Sequence, residues 1–592
     1  MDKVTYEIIR NGLYAVAREM KIAMMRTAAS PIIHSGGDVS AAIFDADMQL
    51  VAQGNDIPTM LGSAVVSTRT MVEAVGVDNL EPGDVIVGND AYLAGGNHQP
   101  DVQFTRPVFI DGTIVGYTMA RGHWSDIGGQ SPGSYAPVTW DIFGEGIRIP
   151  PVRLFRRDEV VPDVMTLIIQ NTRDPANREL DIQAQYAGTV VGERRLIALA
   201  EKYGVGAVAD TMREALDYSE RLMRAELERI PDGVYEAEDV VEPVTAPGWS
   251  DALVPIRVRI EVAGDSVSVD YAGSGDQVRG GINCPLAVTL NSTWFTFKAV
   301  TDPAIPINQG CYRPIAVSAP EGSILNCRLP ASVVSGNTET SPRVIDLLLT
   351  ALAPAIPKRV IAQSNDTAAT AVIGGYDPVE PRRKALGRDY VGAIDVHGGG
   401  LGARPDKDGV SAIRVHVGNV GSQSAEQIEF SSPLTVEDWS LVPDSGGAGR
   451  WRGGLSARRI YRVEFDEASL STNGERGRVA PAGLFGGAAG SLMANEIRHT
   501  DGQAEPLPAK GPSRTVRAGD RVVVQPAGSG GYGDPLEREP GHVLDDVLDG
   551  YVSADAAQRL YGVVLKADGG TVDSAATEAH RIKLRAERSG FS

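Results

Sequence analysis

A hairpin signal around residue 111 constrains the fold of this chain more than any other feature of the sequence. Asp111-Gly112 separates two runs, residues 102–110 and 113–120, that are rich in β-branched and apolar side chains. Both residues of a two-residue hairpin turn must tolerate positive φ, and Asp-Gly does so. The pattern therefore predicts two antiparallel strands joined by a tight turn.

The predicted turn also determines which residues face each other at the open end of the hairpin. If Asp111-Gly112 is a two-residue loop, Ile110 pairs with Thr113. Position 101 then falls opposite position 122. Asp101 and His123 are therefore predicted to be cross-strand neighbours, although the whole hairpin separates them in sequence.

Two imidazoles and one carboxylate are expected at this end of the hairpin. His98 lies on the chain that enters the strand at Asp101, so it approaches the same end as His123. Such a mixed N/O set suits Zn²⁺ or Mn²⁺, and a catalytic site would leave one position open for water. Because the His-x-x-Asp spacing is loose and histidines are often structural, the residues alone predict a divalent metal site without excluding that alternative.

Two further aspartates are candidates for the same site. Asp38 follows Gly36-Gly37 at the start of a predicted strand, and it is a further metal ligand, a carboxylate that orients bound water, or an ordinary turn residue. Asp126 either fixes the orientation of an imidazole or forms the turn before Gly128-Gly129. We take Asp38 and Asp126 as the candidate groups for proton transfer.

Composition limits the class of protein. A chain of 592 residues is too long for a single core, so several domains are expected. The net charge of −20 argues against a nucleic-acid partner. The three cysteines lie singly, and no apolar run approaches the roughly 20 residues that span a bilayer. These features predict a soluble, cytoplasmic protein with no membrane partner.

The spacing of apolar residues predicts a mixed α/β, multidomain chain. Residues 1–232 are expected to form an α/β domain that holds the metal site, and residues 233–392 a central α+β domain. Residues 393–535 are predicted to be β-rich, and residues 536–592 a helical tail. Helices are expected over residues 5–26, 62–75, 180–202, 207–229, 289–300 and 342–352, with a pair of short helices within 538–565.

Motifs that bind nucleotides or activate serine are weak or missing. The sequence contains no G-x-x-x-x-G-K-[ST]. A G-x-S-x-G match at residues 129–133 has a proline directly after the serine, and a G-x-G-x-x-G match at residues 528–533 runs into Asp534-Pro535 instead of a helix. If ATP is involved, this chain does not carry the usual phosphate-binding loop.

The chain resembles the hydantoinase B/oxoprolinase family over nearly its whole length. That family includes subunits of ATP-dependent hydantoinases, oxoprolinases, lactamases and ketone carboxylases. The matching stretches include Thr5-Tyr6-Glu7-Ile8-Ile9-Arg10-Asn11, Asn97-His98-Gln99-Pro100-Asp101, Val191-Gly192-Glu193-Arg194-Arg195, Gly336-Asn337-Thr338-Glu339-Thr340-Ser341 and Pro443-Asp444-Ser445-Gly446-Gly447-Ala448-Gly449.

The resemblance implies a metal site and a partner. It assigns the divalent metal ion to His98, Asp101 and His123, with Asp38 able to join them. It further implies a hydantoinase A-type ATPase subunit, in a heterotetramer or larger complex, that uses ATP and Mg²⁺ to phosphorylate a cyclic amide. The phosphorylated intermediate would then pass to this chain.

Two departures from the family pattern concern the expected substrate pocket. Basic residues often precede the family's counterpart of Asp38, where this chain has Ser35-Gly36-Gly37, and a second histidine often stands at the position of Trp124. Both departures remove polar groups. We therefore expect Gly37 and Trp124 to lie at the substrate pocket and to favour a less polar substrate.

Three hypotheses of function follow. The first is the metal-bearing subunit of an ATP-dependent hydrolase that opens a lactam, hydantoin or oxoproline-type cyclic amide. The second is a subunit of an ATP-dependent acetone- or acetophenone-type carboxylase, which would consume bicarbonate with a ketone. The third is a scaffold that only stabilises the ATPase, which would bind no metal.

Overall fold

Four β-sheets and the helices that cover them make up residues 2–376 and 390–589, the part of the chain that the computed structural model describes. The predicted mixed α/β, multi-sheet class is confirmed. None of the described helices is both long and apolar enough to cross a membrane.

The N-terminal sheet has seven strands, and every neighbouring pair is antiparallel. Its strand order is β2-β1-β5-β4-β3-β6-β7. The strands are β1 (Val39–Asp45), β2 (Leu50–Gln53), β3 (Val85–Gly88), β4 (Asp101–Ile110), β5 (Thr113–His123), β6 (Val152–Arg156) and β7 (Glu159–Val160).

Helices cover both faces of this sheet, which explains why β1 is buried along nearly its whole length. On one face Ala41 and Ile43 pack with side chains of α1 and α5. On the other face Ala42 and Phe44 pack with side chains of α3. The helices of this part are α1 (Lys3–Thr27), α2 (Pro31–His34), α3 (Pro58–Val75), α4 (Pro162–Ile169), α5 (Pro175–Tyr203) and α6 (Val205–Leu227).

Two of these helices begin earlier than apolar spacing predicts. Helix α3 begins at Pro58 and α5 at Pro175, whereas we expected starts near residues 62 and 180. Proline suits the first helical position, where its missing N–H has no intrahelical partner. Asp174 also caps α5, since its side chain accepts a hydrogen bond from the Asn177 amide at 3.3 Å.

The predicted hairpin is confirmed, but its register at the open end differs by one residue. Asp111 and Gly112 both have positive φ, as the turn requires. A bulge then shifts the pairing, because Val108 pairs with Gly116 while Phe109 pairs with Ile114. As a result Asp101 lies opposite His123 and not, as predicted, opposite residue 122.

A second sheet packs directly against the first part of the chain. Side chains of the N-terminal sheet and α3 share one hydrophobic cluster with this second sheet and its helices, for example Phe44 with Val258 and Leu347. A domain boundary at residue 232 therefore crosses a common core, and the four domain ranges stay predictions. The second sheet, in the order β11-β10-β9-β8, and its helices are β8 (Gly233–Val241), β9 (Val254–Ala263), β10 (Ser266–Asp270), β11 (Ile315–Ser318), α7 (Leu286–Ala299) and α8 (Ser341–Leu352).

The strands of two further sheets begin at residue 370, before the predicted start of the β-rich region at residue 393. Among the described residues 370–376 and 390–524, the sheets have the orders β13-β12-β16-β19 and β14-β15-β20-β17-β18, and one short α-helix accompanies them, α9 (Ala425–Ser431). The strands are β12 (Thr370–Tyr376), β13 (Tyr390–Asp395), β14 (Leu434–Leu441), β15 (Ala457–Val463), β16 (Glu467–Asn473), β17 (Asn495–Arg498), β18 (Ala504–Leu507), β19 (Arg514–Arg517) and β20 (Arg521–Val524).

The tail contains the predicted pair of short helices, α10 (Pro540–Leu548) and α11 (Ala554–Tyr561), and a third that we did not predict, α12 (Ser574–Ser589). Polar contacts help to hold this third helix, since Arg581 donates to the Tyr561 carbonyl at 3.0 Å. Because polar contacts help to hold α12, its sequence shows only a weak pattern of apolar residues, and we therefore did not predict this helix.

Candidate metal centre and its cavity

His98, Asp101 and His123 lie together, as the sequence predicts. Their ligand atoms are all within 4.8 Å of one another, and all three residues are buried. Asp101 is the first residue of β4 and His123 the last residue of β5, so the register of the sheet brings them face to face. His98 joins them from the segment that leads into β4.

Backbone hydrogen bonds fix the end of the hairpin next to β1. Trp124 N–H donates to the Pro100 carbonyl at 2.8 Å, which extends the pairing beyond the last ladder residue. His123 N–H donates to the Asp38 carbonyl at 3.0 Å. The same sheet edge therefore holds both His123 and Asp38 in place.

The ring of His98 is oriented by its Nδ1 atom. Nδ1 lies 2.7 Å from the Val334 carbonyl, which can only accept, so Nδ1 carries the proton. The lone pair of Nε2 is then available, and Nε2 faces Asp101 Oδ1 at 3.4 Å. Val334 itself is held by Glu145, whose Oε1 accepts from the Val334 amide at 3.0 Å. The contact with Val334 thus fixes the tautomer that a metal ligand needs.

The donor atoms fit a divalent cation. One Asp101 oxygen, Oδ2, accepts from Asn97 Nδ2 at 3.0 Å, whereas Oδ1 has no hydrogen-bond donor. His98 Nε2 and His123 Nδ1 are likewise buried without a hydrogen-bond partner. Buried polar atoms are nearly always paired, so three unpaired atoms that face one another point to an ion between them.

Burial and charge together set the ionisation of the three ligands. Burial and, to a lesser extent, the neighbouring His98 together lower the pKa of His123 to about 3, so the ring is neutral and can donate a lone pair. Burial opposes ionisation of Asp101, but the neighbouring His98 outweighs burial and the pKa is lowered. For His98 burial lowers the pKa, yet the Asp101 carboxylate outweighs burial and raises it, so binding of a cation at Nε2 would release a proton from this ring.

Asp38 lies in the wall of the same cavity but outside the three-residue cluster. It is buried, with 8% of its surface exposed, and it borders the cavity beside the cluster. Burial and, to a lesser extent, the nearby Asp101 carboxylate together raise the pKa of Asp38 to about 7. Its position suits a group that accepts or returns a proton at the edge of the metal centre.

The cavity that contains the centre draws its walls from distant parts of the chain. Part of the wall is apolar, and its residues lie in or next to α2, the start of α3, the end of β13 and residues 415–420. They are Ile32, Ile57, Met60, Ile394, Val396, Val415, Val417 and Val420.

Sequence reasoning missed six polar residues of the wall: Thr59, Tyr135, Asn337, Thr338, Thr370 and Arg414. Asn337 and Thr338 belong to a π-helical turn, Gly336–Thr340, that leads into α8. The unusual polar run before an apolar helix was a signal that could have found them. Arg414 follows no local pattern, and only the tertiary structure brings it to the site.

Asp126 does not reach the cavity. Its Oδ1 accepts from the backbone amides of Gly128 at 2.8 Å and Arg173 at 3.1 Å. Its Oδ2 accepts from the Gly133 amide and from the Arg173 guanidinium, both at 3.0 Å. A carboxylate with four donors stabilises its loop, and this placement does not agree with the predicted role in proton transfer.

Gly37 and Trp124 do not form part of the cavity wall either. Gly37 adopts φ +68, which explains a glycine at this turn. Trp124 is fully buried, donates from Nε1 to Gln185 Oε1 at 2.7 Å, and packs under the Arg178 guanidinium at 4.6 Å. Both residues stabilise the fold around the site, whereas we predicted that they would contact the substrate.

A second group with metal-ligand chemistry, Asp346, Asp366 and His416, has its own counter-charges. His416 Nε2 lies 2.9 Å from Asp346 and 3.4 Å from Asp366. Arg476 forms ion pairs with both carboxylates. Because two cationic side chains balance two carboxylates, this cluster is a buried ion-pair network that needs no metal.

Comparisons with known proteins show which family this chain resembles. The sequence model of the hydantoinase B/oxoprolinase family matches residues 2–535. The β subunit of caprolactamase from Pseudomonas jessenii is 34% identical over 590 residues, which cover 98% of this chain and 99% of the relative. The B component of a putative D-/L-hydantoinase from Pseudomonas sp. (strain NS671) is 31% identical over 95% of each chain.

Two solved structures share the fold. The crystal structure of the ATP-dependent caprolactamase from Pseudomonas jessenii aligns with a TM-score of 0.89 at 34% identity, over 98% of this chain and 100% of that chain. A nucleotide-free acetone carboxylase aligns with a TM-score of 0.90 at 22% identity, over 100% of this chain and 84% of that chain, which shows likeness of fold alone. With the family match over residues 2–535, these findings show that the chain belongs to the hydantoinase B/oxoprolinase family.

Proposed function

We propose that this chain is the metal-bearing subunit of an ATP-dependent hydrolase that opens a cyclic amide. The proposal rests on one observation: His98, Asp101 and His123, which line the cavity, each have a buried side-chain nitrogen or oxygen atom without a hydrogen-bond partner. These residues would hold Zn²⁺ or Mn²⁺. A divalent cation there supplies Lewis acidity and a water of lowered pKa.

The walls of the cavity suit a ring that is apolar except for its amide. Apolar side chains such as Ile32, Ile57 and Val417 offer contacts for ring methylenes. Among the polar wall atoms, Thr59 Oγ1 and Asn337 Oδ1 are buried without a hydrogen-bond partner. These unpaired atoms are available to the amide group of a bound substrate.

ATP chemistry belongs to a partner in this proposal, since the sequence lacks a phosphate-binding loop. The partner would transfer the γ-phosphoryl group of ATP to the amide oxygen and release ADP. Water would then add to the amide carbon, and the carbon–nitrogen bond would break as the nitrogen takes a proton. A second water would release inorganic phosphate from the acyl phosphate, leaving an amino acid. Asp38 lies where it can accept and return the proton.

The names of two relatives support a partner subunit. One relative is named as a subunit of caprolactamase and the other as a subunit of a putative hydantoinase. We propose a hydantoinase A-type ATPase as the partner of this chain, in a heterotetramer or larger complex. The substrate class is a lactam, hydantoin or oxoproline-type ring.

The decisive experiment is a substrate screen with the reconstituted pair, ATP and Mg²⁺, combined with metal analysis of the purified chain. We expect ATP-dependent ring opening of a cyclic amide and bound Zn²⁺ or Mn²⁺. Full activity of His98→Ala and His123→Ala would overturn the role of the metal centre and leave the scaffold hypothesis. Consumption of bicarbonate with a ketone, and no turnover of any cyclic amide, would favour the carboxylase hypothesis instead.

A further inference from the structure

Arg414 presents an unpaired positive charge to the metal cavity. Its side chain borders the same cavity as Asp38, His98 and His123. The Nε and Nη1 atoms of its guanidinium are buried and have no hydrogen-bond partner. A cation whose donors are buried without partners is costly, and such a group is normally paired or bound to a ligand.

The other buried arginines in the described part of the chain have polar partners for their guanidinium groups, whereas Nε and Nη1 of Arg414 have none. Most of them form an ion pair with a carboxylate, and Arg121, which does not, donates hydrogen bonds to the Ser63 and Ser67 hydroxyls. The ion pairs are Arg106 with Glu193, Arg178 with Asp181, Arg343 with Asp239, Arg452 with Asp546, Arg459 with Asp395, Arg476 with Asp366, and Arg538 with Asp408. Arg414 differs, because no ion pair within 4 Å joins it to any acidic side chain of residues 2–376 or 390–589.

The charges near Arg414 do not neutralise it once a cation is bound. Asp38 and Glu339 are the carboxyl groups that interact with its charge. Burial raises the pKa of Glu339 to about 8, so this group is largely neutral at neutral pH. A divalent cation held by a single carboxylate, Asp101, together with Arg414, leaves a surplus of positive charge in a buried cavity. An anionic ligand would offset that surplus.

Contacts of the residues that follow Arg414 hold its segment in position. His416 is anchored to Asp346 at 2.9 Å, and the Val417 carbonyl accepts from the Thr59 amide at 3.2 Å. Gly418 leaves room for the guanidinium, because a Cβ there would lie 2.4 Å from Arg414 Nε. The surrounding residues therefore hold the unpaired guanidinium of Arg414 in a defined position in the cavity wall.

We propose that Arg414 binds the phosphoryl group of the substrate that the partner has phosphorylated. The inference rests on the proposed function and deepens it by naming the residue that recognises the activated group. A guanidinium suits phosphate because its planar fork donates two parallel charge-assisted hydrogen bonds. Arg414 would distinguish the activated amide from the unactivated one, since only the former carries the anion.

The test measures binding of inorganic phosphate to the full-length chain loaded with Zn²⁺, by titration calorimetry. We expect Arg414→Met to weaken phosphate binding about 10- to 100-fold, and Arg414→Lys to weaken it less, because lysine keeps the charge and loses the fork. Arg498→Met, a control at a half-exposed site, should bind like the wild type. Equal phosphate affinity in Arg414→Met and the wild type would overturn the proposal.

Two further measurements exclude other roles. Acetate, titrated in parallel, should distinguish the variants far less than phosphate; an equal or larger effect with acetate would assign Arg414 to a carboxylate and overturn the phosphoryl assignment. The melting temperature of Arg414→Met should equal or exceed that of the wild type, because the substitution removes a cation with two buried, unpaired nitrogen atoms. A large drop in melting temperature with unchanged phosphate affinity would mark Arg414 as structural.

Failure of this inference is distinguishable from failure of the proposed function. If the reconstituted wild type opens cyclic amides while Arg414→Met binds phosphate normally, only the role of Arg414 is wrong. If the wild type opens no cyclic amide, the proposed function fails whatever the phosphate titrations show.

Discussion

Asp101 and His123 lie directly opposite each other in the register of β4 and β5, and their side chains come together at the open end of the hairpin. A bulge between Val108 and Phe109 produces this alignment. Without the bulge, residue 122 would face Asp101. A single extra residue in one strand therefore sets the geometry of the candidate metal centre.

The carboxylate of Asp101 is expected to be essential for metal binding. Asp101→Asn keeps the shape of the side chain but removes the negative charge, so we expect metal affinity to fall at least about 100-fold. Competition with a chelator measures this affinity. Asp126→Asn is the matched control: it should retain the metal, because its carboxylate holds a loop outside the cavity. Normal metal affinity of Asp101→Asn would contradict the ligand assignment.

Glu145 is expected to act as a positioning residue for His98. Its Oε1 accepts from Ser332 Oγ at 2.5 Å and from the amides of Val333 at 2.5 Å and Val334 at 3.0 Å. Glu145→Ala leaves these donors unpaired and loosens the carbonyl that orients His98. We expect metal affinity to fall about 10- to 100-fold.

Glu145→Gln provides the matched comparison, because glutamine keeps an oxygen that can accept the same hydrogen bonds. We expect it to restore most of the metal affinity. A merely structural role would lower the melting temperature of Glu145→Ala and leave its metal affinity, measured on the folded fraction, unchanged.

Trp124 is expected to affect stability and not the choice of substrate. Trp124→Phe removes the Nε1 donor and leaves the buried Gln185 Oε1 without its partner, so we expect a loss of about 1–3 kcal/mol in the free energy of unfolding. Denaturant unfolding measures that loss. The ranking of cyclic amides by kcat/KM should stay the same, and a changed ranking would restore a role for Trp124 at the substrate.

The network around His416 is expected to make stability depend on pH. Burial lowers the pKa of His416, but Asp346 and Asp366 outweigh burial and raise it to about 10, while Arg476 faces the same carboxylates. The folded-state pKa lies above the ordinary value of 6.5. Stabilisation by the imidazolium is therefore complete below about pH 6.5 and declines as pH rises toward 10.

Thermal unfolding between pH 6 and pH 10 checks this dependence. His416→Gln should remove it and cost about 3–5 kcal/mol at neutral pH, because the two carboxylates lose a buried partner. His499→Gln, at a histidine that is 30% exposed, should leave the pH profile nearly unchanged. An identical pH profile in His416→Gln and the wild type would contradict the charged state of His416.

Local sequence was sufficient for the elements that carry the metal ligands. The Asp111-Gly112 turn and its flanking runs predicted β4 and β5, and the His-x-x-Asp spacing placed His98 beside them. These predictions succeeded because turn chemistry and strand alternation are short-range properties. The bulge that corrects the register left no comparable signal.

By itself the sequence determined which residues come together at the candidate centre, since they meet through one hairpin. Tertiary structure alone decided what surrounds it. Asn337 and Arg414 reach the cavity from chain segments more than two hundred residues away, because packing of the second sheet and of residues 415–420 against α3 brings them there. Contacts at such separation depend on how whole elements pack, and neither propensity nor motif spacing encodes them locally.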